Sequence, residues 1–288
     1  MNFEVFIYSG AKCASSTLNA TLINFGYNTF HVHNDEFYIA NFKELIEETN
    51  CRTIKELILK QVCDKVYIFD IYRNPIERMI SSLFQNFELY LGKNYLNVDI
   101  NLLIYFFYKI YNNEEYHPLD DEYPILKDVE FNVKYCQLVD GKFNYFKFRF
   151  KDLNKWSEYL SEIFNKEITI FDSNLTSDKE YLDLYRIFKK KFRISSSMLN
   201  SYINTPTFKK YNSEEEQLEY YNQWKLRIKN EEYFEELISN CNYINLPENF
   251  NCRKYAFNNP DVYEIYKTDN QLKFHYEFYG WRENRFYE

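Results

Sequence analysis

Short apolar runs alternate with longer amphipathic stretches through the first half of the chain. Four runs have the length of buried strands and are rich in β-branched and aromatic residues, and they cover 3–8, 28–32, 66–71 and 145–150. Apolar positions recur at helical spacing between them, which predicts helices over 15–25, 53–63 and 74–90. Strands that alternate with helices indicate crossover connections, so we expect an α/β fold with a mostly parallel sheet flanked by helices.

The pattern becomes mainly helical after residue 150. A helix is expected over 152–165, and serines at 177 and 213 each precede a glutamate by three residues, as in a capping box. The second capping box predicts a long helix to about Ser239. The most apolar segment, 102–111, is short enough to be a core helix. We expect one α/β domain over 1–250, with a helical C-terminal part, and a small appendage over 251–288.

Charge and cysteine content narrow the class of protein. The 288 residues carry a net charge of −8, which argues against a broad nucleic-acid or anionic-membrane surface. The six cysteines form no C-x-x-C pair, so free thiols in a reducing, cytoplasmic compartment are expected. The first residues lack the basic start and apolar stretch of a signal peptide, and no apolar run approaches the length of a membrane span.

The segment S-G-A-K-C-A-S-S-T-L, residues 9–18, directly follows the first apolar run. This order predicts a strand, a tight loop and a helix, with Lys12 and several hydroxyl groups at the start of the helix. A helix N-terminus presents N–H groups and a partial positive charge, so it binds anions well. The loop is not a Walker A motif, because a second glycine is absent and Lys12 comes three residues before Ser15. We therefore expect a phosphate- or sulfate-binding site here.

A second informative segment follows the third predicted strand. It reads R-N-P-I-E-R-M-I-S, with Arg73 at the strand end, Pro75 at a first helical position and Ser81 two turns later. Ligands of parallel sheets bind beyond the carboxyl ends of the strands, and arginine offers a planar fork of donors that suits phosphate. Arg73 is therefore a candidate phosphate ligand, with Arg78 and Ser81 as neighbours on the helix.

These two segments together resemble the sulfotransferase family that uses 3′-phosphoadenosine 5′-phosphosulfate (PAPS). The first is similar to the family's P-K-x-G-T-T loop, with Ala14 in place of the usual glycine and serines in place of the threonines. The second resembles the R-x-P-x-x-R-x-x-S element, with its spacing intact, and residues 148–153 look like the family's strand ending in R-Y-E-D-L. The resemblance implies a P-loop-like sheet.

The resemblance also implies roles for individual residues. Lys12 would stabilise charge on the leaving phosphate and contact the transferring sulfuryl group, and Arg73 with Ser81 would hold the 3′-phosphate. Hydroxyl and backbone N–H groups of the loop would hold the 5′-phosphate. The cofactor-binding residues so implied are Gly10, Ala11, Lys12, Cys13, Ala14, Ser15, Ser16, Thr17, Arg73 and Ser81. The expected product is 3′-phosphoadenosine 5′-phosphate (PAP), and no metal is expected.

Transfer to an alcohol needs a base near the acceptor hydroxyl. His31 and His33 end the second predicted strand, and alternation places them on the same face. Related carbohydrate sulfotransferases often have an H-x-H at this place, so His33 is the favoured base and His31 a neighbour or substrate contact. His31, Asp35 and Glu36 remain alternative bases. The H-x-H also suggests a metal pair, although no convincing third ligand is evident.

Two further segments bear on the cofactor and on the acceptor. Residues 205–211 precede the long predicted helix where the family often places a covering loop, and Lys209 or Lys210 could reach a phosphate. The tail, 259–285, resembles a short module found on bacterial glycan-assembly enzymes. The expected function is transfer of a sulfuryl group from PAPS to a carbohydrate hydroxyl in polysaccharide biosynthesis. The alternatives are a kinase-like phosphotransferase, with Asp70 as a weak candidate Mg²⁺ ligand, and a non-catalytic glycan-binding protein.

Overall fold

A computed structural model shows a five-stranded sheet with helices on both faces. The structure describes residues 2–85, 99–111, 134–171, 180–240, 246–266, 268–281 and 283–287. The strands are β1 (Val5–Tyr8), β2 (Thr29–Val32), β3 (Val66–Tyr72), β4 (Cys136–Asp140) and β5 (Phe143–Arg149), in the order β2-β1-β3-β5-β4. Every neighbouring pair is parallel except β4 and β5. The predicted α/β fold with a mostly parallel sheet is therefore confirmed.

The antiparallel edge strand β4 was not predicted from the sequence. Its side chains are mostly exposed, so it lacks the apolar run of a buried strand. The hairpin to β5 turns through Gly141-Lys142, and Gly141 has a φ of 58°. Glycine at the first position of a two-residue hairpin turn is a known signal, because it accepts the left-handed conformation that such turns require.

Fifteen α-helices lie among the described residues, and about half of them fall where the sequence predicts a helix. They are α1 (Ser15–Asn24), α2 (Asp35–Asn41), α3 (Lys43–Thr49), α4 (Ile54–Leu59), α5 (Pro75–Gln85), α6 (Ile100–Tyr111), α7 (Trp156–Phe164), α8 (Leu182–Lys191), α9 (Ser196–Ile203), α10 (Pro206–Tyr211), α11 (Glu214–Lys225), α12 (Glu231–Asn240), α13 (Cys252–Asn258), α14 (Pro260–Ile265) and α15 (Asp269–His275). No helix among the described residues is long and apolar enough to cross a membrane.

The alternation of side chains along the strands builds one core on each face of the sheet. On one face, Phe6 and Phe30 pack with Tyr38 of α2 and with residues of α3 and α4. On the other face, Phe69 and Phe148 share a core with α1 and α7. Helices on both faces are typical of a doubly wound sheet, and they leave its carboxyl edge for the loops.

The chain divides into two compact units. The first contains the whole sheet and consists of Met1–Arg78, His117–Asp178 and Asn204–Gln217. The second consists of Met79–Tyr116, Lys179–Ile203 and Leu218–Glu288, and its described residues are mainly helical, with a short parallel pair, β6 (Ile194–Ser195) with β7 (Ile228–Lys229). The expected boundary at residue 250 stays a prediction.

The predicted long helix from Ser213 to about Ser239 is wrong. The capping box at Ser213 is present, because its hydroxyl accepts from the Glu216 N–H at 3.2 Å and its own N–H donates to the Glu216 carboxylate at 2.8 Å. However, α11 ends at Lys225, the chain turns into β7, and α12 begins only at Glu231. Pairing of β7 with β6 interrupts the helical pattern, which is a tertiary effect that periodicity does not detect.

Other helix ends differ by a few residues. The helix predicted over 152–165 begins at Trp156, after a 3₁₀ turn over Phe150–Lys155, and the one predicted over 53–63 ends at Leu59. The helix predicted over 74–90 begins at Pro75, and residues 86–90 lie outside the described residues. Ser177 of the other capping box also lies outside them.

Candidate functional site

The two segments singled out from the sequence lie at the same edge of the sheet. β2 and β3 pair with β1 on opposite sides, so the direction of winding reverses between β1 and β3. Ligands of open α/β sheets bind in the crevice that such a reversal opens at the carboxyl ends of the strands. The loop over residues 9–14 follows β1, and Arg73 directly follows β3, so both border this crevice.

The loop after β1 has an unusual backbone. Lys12 has a φ of 70° and Ala14 a φ of 65°, while Cys13 between them is not in the positive-φ region. In such turn conformations successive N–H groups converge and form an anion-binding concavity. Helix α1 begins directly after Ala14 without a side-chain cap, so no capping side chain occupies its first N–H groups.

Ala14 stands where the resembling family usually has a glycine. A left-handed alanine costs roughly 1–2 kcal/mol because its Cβ approaches the carbonyl oxygen. Nevertheless, Ala14 has this conformation, with a ψ of 24°. Ala14 therefore stores strain in the loop, and such strain is found mostly at functional sites.

Two arginines hold the carbonyl groups of this loop. Arg73 Nη1 donates to the Lys12 carbonyl oxygen at 2.7 Å, and Arg78 Nε donates to that of Ala11 at 3.2 Å. The Arg78 guanidinium lies against Gly10, where an added Cβ would be 2.9 Å from Arg78 Cζ. Because these two carbonyl oxygens face the arginines, the N–H groups of the loop face away from them. This arrangement suits an anion site.

The hydroxyl and thiol residues of the loop differ in burial. Ser15, Thr17 and Cys13 are buried, whereas Ser16 and Lys12 are half-buried. Burial raises the pKa of the Cys13 thiol, although the nearby charges of Arg78 and Arg73 lower it in part. Cys13 is therefore a packed, protonated thiol of the apolar core rather than a nucleophile.

A cleft of about 460 Å³, measured out to open solvent, lies beside Gly10 within the first unit. Arg73, Arg78 and Lys147 line it, together with the hydroxyl residues Thr205 and Thr207. Phe150 lies under Arg73, with its ring centroid 4.3 Å from Arg73 Cζ, and Arg73 Nε is buried with no hydrogen-bond partner among the described residues. The cleft is cationic in a chain whose net charge is −8.

Lys147 belongs to this cleft and forms a buried ion pair with Asp70. The two residues are opposite each other on β5 and β3, Lys147 Nζ is 2.7 Å from Asp70 Oδ2, and both side chains are 3% exposed. The other carboxylate oxygen accepts from the Ile71 N–H at 2.7 Å. Sequence reasoning missed Lys147, although a lysine inside an apolar strand indicates a buried charge that needs a partner.

The two histidines lie together at the end of β2, as alternation predicts. Their ring centroids are 5.0 Å apart, and His33 Nδ1 is 2.9 Å from the Ser9 carbonyl oxygen. A carbonyl oxygen only accepts, so Nδ1 carries the proton and Nε2 of a neutral His33 has the lone pair. Burial, and secondly His33, lower the pKa of His31 to about 4, and its Nε2 has no partner among the described residues.

The alternative bases and metal ligands are placed less favourably. Asp35 Oδ1 accepts from the Ile54 N–H at 2.9 Å, which ties α2 to the start of α4, and Glu36 is exposed. Within the described residues, no third His, Cys, Asp or Glu joins the histidines in a metal-binding group. Ser81 is half-buried on α5 and belongs to the second unit.

The third motif, residues 148–153, forms an ion-pair network. Arg149 Nε donates to Asp152 Oδ2 at 2.5 Å, and its Nη1 donates to Glu216 Oε2 at 3.2 Å. Lys151 Nζ is 2.7 Å from the same Glu216 oxygen. The network connects the end of β5 to the first turn of α11, so these residues have a structural role.

The segment 205–212 returns to the edge of the sheet. Thr205, Thr207 and Phe208 line the cleft, while Lys209 is exposed and Lys210 lies over the Tyr211 ring at 5.3 Å. The Asn212 amide donates to the Tyr72 hydroxyl at 3.3 Å and to the Phe208 carbonyl at 2.9 Å. The threonines are thus the cleft residues here, whereas the sequence singled out the two lysines.

Compared with protein-family models, curated proteins and solved structures, the chain matches none of them.

Proposed function

We propose that this chain is a PAPS-dependent sulfotransferase that transfers a sulfuryl group to a carbohydrate hydroxyl. The observation that supports this most is the joining of the two motif segments at the β1/β3 crevice, where Arg73 and Arg78 donate to carbonyl groups of the Lys12 loop. One segment supplies an anion-binding loop and the other supplies cations beside it. A P-loop-like fold is part of the same proposal.

In this proposal the loop binds the phosphosulfate end of the donor. N–H groups at the start of α1 and the hydroxyl of Ser16 hold its 5′-phosphate, and Lys12 neutralises charge that develops on the leaving phosphate. The acceptor oxygen attacks sulfur, the S–O bond to the phosphate breaks, and PAP leaves. Catalysis then consists mainly of positioning and charge stabilisation.

His33 is the proposed general base. Its Nδ1 proton is held by the Ser9 carbonyl, so Nε2 is the atom that accepts the acceptor's hydroxyl proton. Ser9 is the first residue of the anion-binding loop, so this histidine contacts the loop directly. His31 is neutral at pH 7 because its pKa is lowered to about 4, so it adds no charge that would oppose protonation of His33.

A kinase-like phosphotransferase is a weaker proposal. Such enzymes hold Mg²⁺ with a carboxylate near the phosphates. Asp70 was the candidate, but one of its oxygens pairs with Lys147 and the other accepts a backbone N–H. The second alternative is a non-catalytic glycan-binding protein. The strained backbone of Ala14 suits a binding protein as well as an enzyme. The proposed location is the cytoplasm, which the free thiols among the described residues support.

Thermal stability measured with PAP, and separately with ATP and Mg²⁺, tests the cofactor class. A ligand that binds only the folded state raises the melting temperature, by an amount that corresponds to about 2.7 kcal/mol at 100 times its Kd. A shift with PAP alone supports the proposal. A shift with ATP alone would favour the kinase, and a shift with neither would contradict both nucleotide-dependent functions.

Lys12→Ala separates catalysis from binding. We expect this variant to bind PAP and lose most transfer from PAPS to a glycan acceptor mixture, because charge on the leaving phosphate is no longer neutralised. The matched control is Lys55→Ala, which changes an exposed lysine of α4 in the same unit. Equal transfer rates in the two variants would remove Lys12 from the proposed mechanism.

A further inference from the structure

The buried pair Lys147–Asp70 is not explained by stability. Moving two charges out of water costs several kcal/mol per ion, and apolar residues of similar volume often stabilise a core equally well or better. This pair lies between β3 and β5, with Lys147 Nζ 4.9 Å from the centroid of the Tyr211 ring, and it opens onto the cleft through Lys147. A buried cation at the wall of a cleft is a candidate for binding an anion.

The position of the cleft along the sheet indicates which anion it binds. The strands run β2-β1-β3-β5, with the histidines at the end of β2, the anion-binding loop after β1, and Lys147 on β5. β2 and β5 are three strand spacings apart, about 14 Å. A base acts on the acceptor, so the acceptor belongs on the β2 side of the loop. In-line transfer places the leaving group on the opposite side, toward the cleft.

The charges of the cleft suit a dianion. Arg73, Arg78 and Lys147 supply three positive charges and Asp70 one negative charge, which gives a local charge of +2. Thr205 and Thr207 add neutral hydroxyl donors. A phosphate monoester carries a charge near −2 at pH 7 and accepts several hydrogen bonds. A single carboxylate would leave part of the positive charge unbalanced.

We propose that Lys147, held in place by Asp70, binds the second phosphate group of the donor nucleotide in this cleft and gives the site its preference for a 3′-phosphorylated nucleotide. This inference rests on the proposed function and adds to it a residue that determines cofactor specificity. The ion pair holds the Lys147 side chain at the wall of the cleft, and the arriving phosphate competes with Asp70 for its ammonium group.

The test compares two nucleotides on three proteins. Kd values for PAP and for adenosine 5′-phosphate, which lacks the 3′-phosphate, are measured by calorimetry on the wild type, Lys147→Met and Asp70→Asn. Lys147→Met should raise the Kd for PAP about 10- to 100-fold, the loss expected for a hydrogen bond between charged groups. The Kd for adenosine 5′-phosphate should stay within twofold of the wild-type value. Asp70→Asn should lower the Kd for PAP, because the phosphate replaces the lost carboxylate as the partner of Lys147.

The opposite signs of the two effects separate this role from a structural one. A purely structural pair would respond to either substitution with a similar loss for both nucleotides, and that result would overturn the inference. If Lys147→Met does not fold because Asp70 is left unpaired, the double variant Asp70→Asn/Lys147→Met restores a neutral pair and should show the same selective loss. Lys142→Met, a lysine of the β4–β5 turn, is the matched control.

The outcomes also distinguish this inference from the proposed function. A wild-type protein that binds neither nucleotide contradicts the proposed function, and the inference fails with it. A wild-type protein that prefers PAP, with a preference that no variant changes, supports the proposed function and overturns the role of Lys147 alone.

Discussion

Ala14 adopts a backbone conformation that alanine disfavours, with a φ of 65° at the start of α1. Ala14→Gly should stabilise the protein by about 1 kcal/mol, because glycine accepts this conformation at little cost. Urea unfolding measures the change. Ala20→Gly, within the same helix, is the matched control and should destabilise by about 1 kcal/mol. Two losses of similar size would show that Ala14 is not left-handed in solution.

His31 should make stability depend on pH. Its pKa is about 4 in the folded protein and 6.5 ordinarily, so between these values the unfolded chain binds more protons and stability falls as pH falls. His31→Gln should reduce the slope of the unfolding free energy against pH by an amount that corresponds to at most one bound proton. Unfolding free energies measured from pH 7.5 to 4.5 test this, and the slopes above pH 7 should coincide. Parallel curves throughout would mean that His31 titrates normally.

At the scale of elements, Glu216 connects the end of β5 to the start of α11. Burial alone would raise the pKa of Glu216, but hydrogen bonds from Lys151 and the Ser213 N–H, with the charges of Lys151 and Arg149, bring it below its ordinary value. A carboxyl whose pKa is lowered by folding stabilises the protein above its ordinary pKa, and this contribution is lost as pH falls through the folded value.

Glu216→Gln should therefore destabilise the protein by about 1 kcal/mol at pH 7, because glutamine preserves the capping box and loses the ion pairs. The difference from wild type should shrink below about pH 4.5, the ordinary pKa of the group. Glu215→Gln changes an exposed glutamate of the same helical turn and is the control. A loss of equal size in both variants would assign the effect to the helix dipole instead.

Binding should be confined to one of the two units at the scale of the whole molecule. Hydrogen exchange with and without PAP should show protection over 9–17, 71–75 and 205–208, since these residues border the crevice and the cleft. The tail over 252–280 lies in the second unit and should exchange unchanged. Protection confined to the tail would place the nucleotide site outside the sheet edge.

The amino-acid sequence alone is enough to predict the α/β class, the four parallel strands and the position of the Lys12 loop and Arg73 at strand ends. These features depend on local periodicity and on the direction of a parallel strand, and both can be inferred from neighbouring residues. It also indicated that His31 and His33 share a face, because alternation along a strand is local. Helix ends were less well predicted, since α11 ends where β7 pairs with a distant strand.

The distant residues that complete the site come together only when the chain folds. Lys147 meets Asp70 across neighbouring strands, Thr205 and Thr207 return to the cleft, and the Ser9 carbonyl fixes the tautomer of His33. The residues in each of these contacts are at least 24 positions apart in the sequence. No local pattern therefore specifies the contacts. They form because burying the apolar faces of the sheet fixes the strand order, and the strand order then brings these polar groups together.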